Sequence, residues 1–581
     1  MRRSPSSPRS PRSSSPSAPP AREIGGATTA TTQAGAAKIA SGTLGSCAIT
    51  PQATVHCWGE GDQGQLATGS TANVGDVPGS TTVQVWLGRG VVPVQVSSGS
   101  SHSCALAQGG AVYCWGRNIV GQTGDGTAAE NRGDDPGERP FRVALPDGLG
   151  AKQVATGANH SCAILTDTSV ACWGGNANGV LGLGQPDDGA SHLPARVDLG
   201  EAGAFSISSR DRHTCVVTLQ RKLLCWGANS RSQIGDGAFS GPKAAIGDDP
   251  GEKPIQPPTV QASENYLAVV TLDQSTCAIE VPSDSVHCWG EGARGQLSQG
   301  NTNAATLNDV TVDLDGQRAR AISAGSEAVC ALTDGTDADT EPETVRCWGD
   351  NQSGMLGGGF IGNNWGDSLG ETKPVTTDIG AGRTAIGIAV GDDHTCAMLT
   401  SGQALCWGEG SNGRLASGST ADTGTTKPAG VATVTFGTDL PDGDGDGLPD
   451  RFDGCPAAAA QTDDGCPPPT VPPAQPPVAQ PPVAQPPTTV AKKVKVAVTL
   501  TAKSTKTKSC PKTVTAAIVG AKPAVSRALK AKKAKKKSAG GKVRCVVSST
   551  FTWKTAPAAA KSTKVKVSGK GLTTRTITVK L

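Results

Sequence analysis

Residues 162–172 read as two short apolar runs around a polar centre: Cys162-Ala-Ile-Leu, then Thr-Asp-Thr-Ser, then Val-Ala-Cys172. Apolar runs of this length around a polar turn predict a β-hairpin. Folding it about Asp167 sets Cys162 opposite Cys172. Directly opposed residues of an antiparallel pair lie about 4.5–5.5 Å apart at Cα, within disulfide reach. Residues 104–114 fold the same way about Gly109, and residues 396–406 about Ser401. After each hairpin the chain turns glycine- and asparagine-rich, as in Asn118 to Gly126, Asn176 to Gly184 and Asn351 to Gly357. Glycines at fixed offsets predict tight turns or close backbone approach.

The pattern recurs seven times, each copy ending its hairpin in Cys-Trp-Gly. The pairs are Cys47/Cys57, Cys104/Cys114, Cys162/Cys172, Cys215/Cys225, Cys277/Cys288, Cys330/Cys347 and Cys396/Cys406. In the sixth copy the hairpin carries a longer acidic loop, Thr333 to Thr344. The second cysteines recur at 57, 58, 53, 63, 59 and 59 residues. That period is too long for a helical solenoid unit and suits a propeller blade of four strands plus a loop. Disulfides are the expected fate of the pairs. The alternative, paired metal thiolates, would ask for Cys-x-x-Cys knuckles.

The combined motif resembles the regulator of chromosome condensation repeat over about residues 37–437, and most of all its bacterial, cysteine-paired branch. A secreted β-lactamase-inhibiting propeller is a more distant relative. The resemblance implies a seven-bladed β-propeller. The fold class expected is thus all-β: this propeller plus a calcium-binding repeat, a Pro-rich stalk and a small basic β-sandwich-like domain. The first copy starts at Lys38-Ile-Ala-Ser-Gly without the Pro-x-x-Val strand seen before later copies, such as Pro194-Ala-Arg-Val197. Such a strand recurs near the end, within Lys427 to Thr435, so it is expected to complete the first blade and latch the ring, removing open edges.

Aromatics make up 3% of the chain, and seven of its ten tryptophans are the blade residues Trp58, Trp115, Trp173, Trp226, Trp289, Trp348 and Trp407. The core is then Ala, Val, Leu and Gly with one large anchor per blade. A disulfide worth roughly 2–4 kcal/mol per blade is a plausible supplement. Eighteen cysteines that all fall into local pairs imply an oxidising compartment, extracellular or cell envelope. Met1 to Pro20 is Arg/Ser/Pro-rich with no apolar core, so a signal peptide is not evident as it stands. No stretch is apolar enough to span a membrane.

The net charge of +3 hides a segregation. Residues 491–581 hold 24 Lys and Arg and no acid, leaving 29 basic and 50 acidic residues elsewhere, a net of −21. The expected organisation is a low-complexity terminus (1–36), the propeller (37–437), a calcium repeat (438–467), a Pro-rich linker (468–490) and a basic β domain (491–581).

In the calcium segment, Asp442, Asp444 and Asp446 occupy positions 1, 3 and 5, with Gly447 at the bend. The Leu448 carbonyl, Asp450 and Asp453 would supply positions 7, 9 and 12 of an oxygen shell suited to Ca²⁺. The segment resembles a thrombospondin type 3 repeat, whose loops end in Cys-Pro as Cys455-Pro456 does here. The bland alternative is a metal-free Asp/Gly linker. Cys455 and Cys466 are expected to pair. Tandem Ala-Gln-Pro-Pro-Val units in residues 467–487 favour a semi-rigid polyproline spacer. The basic domain alternates as strands do, with Cys510 and Cys545 as its pair and Lys530 to Lys537 as a solvated loop. Its charge suits an anionic envelope polymer. With only Phe551 and Trp553 aromatic there, no stacking platform supports nucleic acid.

Histidines 102, 160, 213 and 394 sit two residues before the first cysteine of their copies. They could form a metal ring. Gly45, Ser275 and Ala328 replace them elsewhere, so they are expected to satisfy backbone groups of their own blades. The insertions Gly133-Asp-Asp-Pro-Gly-Glu-Arg-Pro140, Gly247-Asp-Asp-Pro-Gly-Glu-Lys-Pro254 and Gly366 to Pro374 read as polar connectors. Arg132-Gly133-Asp134 reads as a chance match to an adhesion tripeptide. No hydrolase serine elbow, phosphate-cradling loop or His-Glu-x-x-His is expected. The chain therefore reads as a non-enzymatic secreted or envelope binding module. Propeller loops would recognise a protein or glycan, and the basic domain an anionic polymer. The alternatives are an exchange factor for a small GTPase, from the family name, and an inhibitor of a secreted enzyme.

Overall fold

The computed structural model describes residues 38–434 apart from short loop stretches (129, 187–188, 236–244, 258–264, 304, 335–342 and 425–430). It also describes part of residues 435–452 and seven strands between residues 493 and 580.

Seven four-stranded antiparallel sheets follow one another along the chain, each made of consecutive strands. Blade one comprises Ile39–Ser41, Gly45–Ile49, Val55–Gly59 and Val83–Val85; blade seven comprises Ala385–Val390, His394–Leu399, Ala404–Gly408 and Ala432–Val434. The apolar/polar reading places the central hairpins: Cys162 faces Cys172 and His160 faces Gly174.

Each blade carries one disulfide across this hairpin. In blades one to four the bonds are Cys47–Cys57, Cys104–Cys114, Cys162–Cys172 and Cys215–Cys225. In blades five to seven they are Cys277–Cys288, Cys330–Cys347 and Cys396–Cys406. No blade cysteine is left as a thiol, so the metal-thiolate alternative has no ligand there. One detail departs from expectation. The Cα separations are 4.0–4.2 Å, below the spacing of about 4.5–5.5 Å between opposed residues without a crosslink.

The Cys-Trp-Gly triplet has a physical reason at each letter. The seven tryptophans are fully buried. Each indole donates to a backbone carbonyl in the glycine-rich tail of the preceding blade, as Trp115 Nε1 does to Gln65 (2.8 Å) and Trp226 to Val180 (2.8 Å). The following glycines all have positive φ, 100–112°. A Cβ at Gly116 would lie 2.6 Å from the Ser101 carbonyl oxygen, so no other residue fits the crossing. The tails knot themselves through asparagine: Asn118, Asn176, Asn229 and Asn351 each accept from the amide five residues on, at 3.1 Å.

Ring closure differs from the expected latch strand. Ala432–Val434 pairs with blade seven's own third strand, Ala404–Gly408, and Val83–Val85 completes blade one. The Pro-x-x-Val strand ends a blade rather than beginning one: Val197 pairs with Val170 of its own sheet. Blade one therefore lacks nothing. The ring closes through the same interlock used between all blades. Trp58 Nε1 donates to the Arg414 carbonyl of blade seven (2.8 Å), and Trp58 packs with Ala389, Met398 and Leu415. Gly418 N donates to Gly75 O (3.0 Å), the counterpart of Gly69 to Gly133 and Gly300 to Gly366 (both 2.9 Å).

Beyond Val434 the chain straps back over blade one. Phe436 lies edge-on to His56 and Trp58, and Gly437 N donates to Thr82 Oγ1 (2.8 Å). Phe452 stacks on Trp86 at 5.1 Å, with the Arg139 guanidinium 4.6 Å from the Trp86 centroid and 5.0 Å from that of Phe452. Of the proposed calcium ligands, Asp442, Asp444 and Asp450 fall in this strap, whereas Asp446, Leu448 and Asp453 lie outside the described residues, as do Cys455, Cys466 and Cys510. In the separate C-terminal unit, the strands make a three-stranded and a four-stranded antiparallel sheet. Lys532–Lys533, expected in a loop, pair instead with Val546 and Cys545.

Candidate binding face at the axial mouth

The innermost strands surround an axial cavity of about 90 Å³, lined mainly by small side chains such as Ser97, Thr156, Ser208 and Ser323. Its mouth is built by the turns joining first and second strands, each held to its own blade by one recurrent bond. The residue after Cys-Trp-Gly donates its amide to the turn carbonyl, from Glu60 to Leu44 through Glu409 to Asp393, at 2.7–2.9 Å in all seven blades. That bond brings turn residues and post-triplet residues onto one face.

Charge is distributed unevenly over that face. Blades five, six, seven and one bring Asp273, Glu291, Glu327, Asp350, Asp392, Asp393, Glu409, Glu60 and Asp62. Four arginines answer these nine carboxyls. Arg210 reaches from blade four to pair with Asp392 of blade seven and donates to the Ser41 carbonyl of blade one (3.4 Å). Arg231 pairs with Glu291 (3.3 Å), and Arg294 with Glu327 (3.4 Å) and Asp350 (3.3 Å). Buried Arg414 pairs with Asp393 (3.1 Å) and Glu409 (2.6 Å).

Burial raises several of these carboxyls, and neighbouring acids add to the rise. Burial pushes Asp273 up to about 6, with Arg210 opposing and Asp211 and Asp392 adding to the rise. Burial also raises Glu327, against Arg294. Asp393 is raised by burial and by Glu409, and Glu60 by burial and by Asp62. Asp392 goes the other way: burial disfavours its charge, but Arg210 and hydrogen bonds from Ser326 and Thr43 hold its carboxyl low. Sequence reading located the acidic excess in the propeller but not this crescent, because its residues come from four different blades and converge only through the ring.

The four histidines are structural, as expected, but their partners lie in the next blade rather than in their own. Their Nε2 atoms bond to hydroxyls of the next blade: His102 to Ser161 (2.8 Å), His160 to Thr214 (3.0 Å), His213 to Thr276 (2.9 Å) and His394 to Ser46 (2.8 Å). Full burial lowers three of them to about 3 and His160 to about 4, so they are neutral fasteners between blades. The repeated acidic insertions are turn locks. Glu138, Glu252 and Glu371 each accept from two backbone amides of their own loop. Arg132 of the adhesion-like tripeptide is bound to Asp125 (2.7 Å), and Gly133 is docked against blade one.

One serine does stand in a hydrolase-like Gly-x-Ser-x-Gly string, Gly366 to Gly370, contrary to expectation. Ser368 lies in the third acidic loop and its hydroxyl donates to Asp367 (2.9 Å). It is not on the strand-to-helix turn that gives such a string its chemistry.

Comparison with known proteins agrees with the architecture. The regulator of chromosome condensation (RCC1) repeat matches at residues 52–106 and 109–164, and a second form of it at 94–122, 151–180 and 385–414. The chain is 27% identical to the Ultraviolet-B receptor UVR8 of Arabidopsis thaliana, over 66% of this chain and 79% of the receptor. It is 26% identical to the human E3 ubiquitin-protein ligase HERC2 over 61% of this chain, which spans only 7% of that ligase. Among solved structures, Prp20p of Saccharomyces cerevisiae superposes with a TM-score of 0.51 at 19% identity, over 66% of this chain and 85% of Prp20p.

Proposed function

From a seven-bladed ring of regulator of chromosome condensation repeats, we propose a non-enzymatic module whose acidic mouth receives a Lys/Arg-rich stretch of a partner protein. The observation that carries this reading is the crescent from Asp273 round to Glu60. Its part-buried carboxyls repel one another and outnumber the arginines beside them. Incoming cations would relieve that repulsion, and electrostatic matching of this kind speeds and selects association. Prp20p is described as having binding properties to Gsp1p and histones. A shared fold does not transmit a partner, but histones are basic; the second reading, taken from the family name, is an exchange factor for a small GTPase.

Seven disulfides favour an oxidising compartment, extracellular or envelope. There the segment from Asp442 to Asp453 would hold Ca²⁺, and the basic C-terminal unit would seek an anionic polymer. The deciding experiment titrates a Lys/Arg-rich peptide into the full chain at low and high salt. Salt-sensitive binding, weakened by Asp393→Asn with Glu409→Gln, supports the reading; no binding at low salt overturns it. A free-thiol count on protein taken from its native source without reductant separates the two readings. Near zero favours the secreted module, and many free thiols favour the intracellular regulator.

A further inference from the structure

On the same face, opposite the acidic crescent, blades two to four line an open pocket of about 510 Å³. Its walls are largely apolar, with Ile119, Val120, Ala158 and Val180 among them, and Ile119 is half exposed. Arg117 and Arg212 stand in its lining. Volume and character both fall within the range of small-molecule sites.

The pocket exists because blade three breaks the local rule. After Cys-Trp-Gly the other blades carry Glu60, Arg117, Ala228, Glu291, Asp350 and Glu409, whereas blade three has Gly175. A Cβ there would lie nearest the Val120 Cγ2 methyl (3.2 Å), the Asn159 carbonyl oxygen (3.4 Å) and Val120 Cβ (3.6 Å), with no contact under 3.0 Å, so the backbone does not demand glycine. The neighbouring turn is equally bare, with Ala158 where blades four, five and seven have Asp211, Asp273 and Asp392. Two missing side chains open the floor, and the arginine supplied by blade two is left over it.

The lining is cationic on balance. Asp211 is the one carboxylate, Arg212 lies 3.5 Å from it, and burial raises its pKa. His160 is buried and neutral. The Arg117 side chain makes no ion pair or hydrogen bond among the described residues, and its guanidinium has two donor edges to offer a planar anion.

We propose that this pocket binds a small organic acid, its apolar body against Ile119 and Val180 and its carboxylate on Arg117. The acidic crescent plays no part, so this site and the proposed partner surface stand or fall separately.

The test uses the full chain and 8-anilinonaphthalene-1-sulfonate, an apolar dye with one anionic group, beside its neutral counterpart N-phenyl-1-naphthylamine. The expected result is one tight site for the anionic dye, displaced by octanoate but not by octanol and distinct from weak, salt-sensitive dye binding to the basic C-terminal unit. Arg117→Ala should weaken it about tenfold, the loss of one charge-assisted contact, and leave the neutral dye unchanged. Gly175→Glu, which restores the side chain of blades one, five and seven, should abolish binding of both. Absence of one-site binding, or equal binding by wild type and Arg117→Ala, overturns the proposal. Arg117 is outside the core, so that variant decides even if Gly175→Glu destabilises the blade.

Discussion

Acid should open the ring well before it titrates most carboxylates. His102, His160, His213 and His394 are fully buried and lowered from 6.5 to between about 3 and about 4. A histidine depressed in the fold stays neutral there while its unfolded counterpart takes up a proton. Stability is therefore undiminished above pH 6.5 and is lost as pH falls from 6.5 towards the folded values. At pH 5 each unfolded histidine gains about 2 kcal/mol from protonation, or about 8 kcal/mol for four. Asp273 opposes this: raised to about 6 from 3.8, it binds its proton earlier in the fold and returns part of the loss at pH 5. Glu327, Asp393, Glu60 and Asp211, also raised by burial, oppose it in the same sense, so the net loss is smaller than the histidine total. The assay is guanidinium unfolding with disulfides intact, followed by tryptophan fluorescence at pH 7.5, 6.5, 5.5 and 5.0. The acids are cancelled by comparison with His213→Gln, whose unfolding free energy should fall less steeply with acid, by about 1.4 kcal/mol per pH unit. Identical slopes in variant and wild type would refute the reasoning, because they would mean that His213 binds its proton equally in both states.

Three further outcomes follow from the interlock. Gly116→Ala forces a Cβ to within 2.6 Å of the Ser101 carbonyl oxygen at a φ of 100°, so a loss above about 3 kcal/mol is expected in chemical unfolding. Trp58→Phe removes the indole donor and strands the buried Arg414 carbonyl, costing about 1–3 kcal/mol and lowering Tm. Replacing Cys162 and Cys172 together by alanine should cost about 2–4 kcal/mol, read as a shifted denaturation midpoint with the other six bonds intact.

Much of the scaffold was legible because its rules are local. Alternation around Asp167 fixes a hairpin, and the turn fixes which cysteines oppose. The same rule survives the longer loop of blade six, where Cys330 still meets Cys347. Partners across blades were not legible, since a histidine's neighbour 54 to 63 residues away appears only when the ring closes. The phase of the outer strand was misread for a related reason. Pro194 to Val197 lies between two motifs, and only pairing of Val170 with Val197 assigns it to the earlier one. The arginine pocket was hidden because it consists of side chains that are missing.

Because Ala432–Val434 stays within its own sheet, each sequence unit coincides with one whole blade. The cut between blade seven and blade one is then joined by the same tryptophan-to-carbonyl bond as the other six. A chain circularly permuted to begin at blade two or blade five would split no sheet. Likewise, duplication or deletion of a single gene segment about 58 codons in length would add or remove a complete blade, leaving selection to act only on how many the circle can hold.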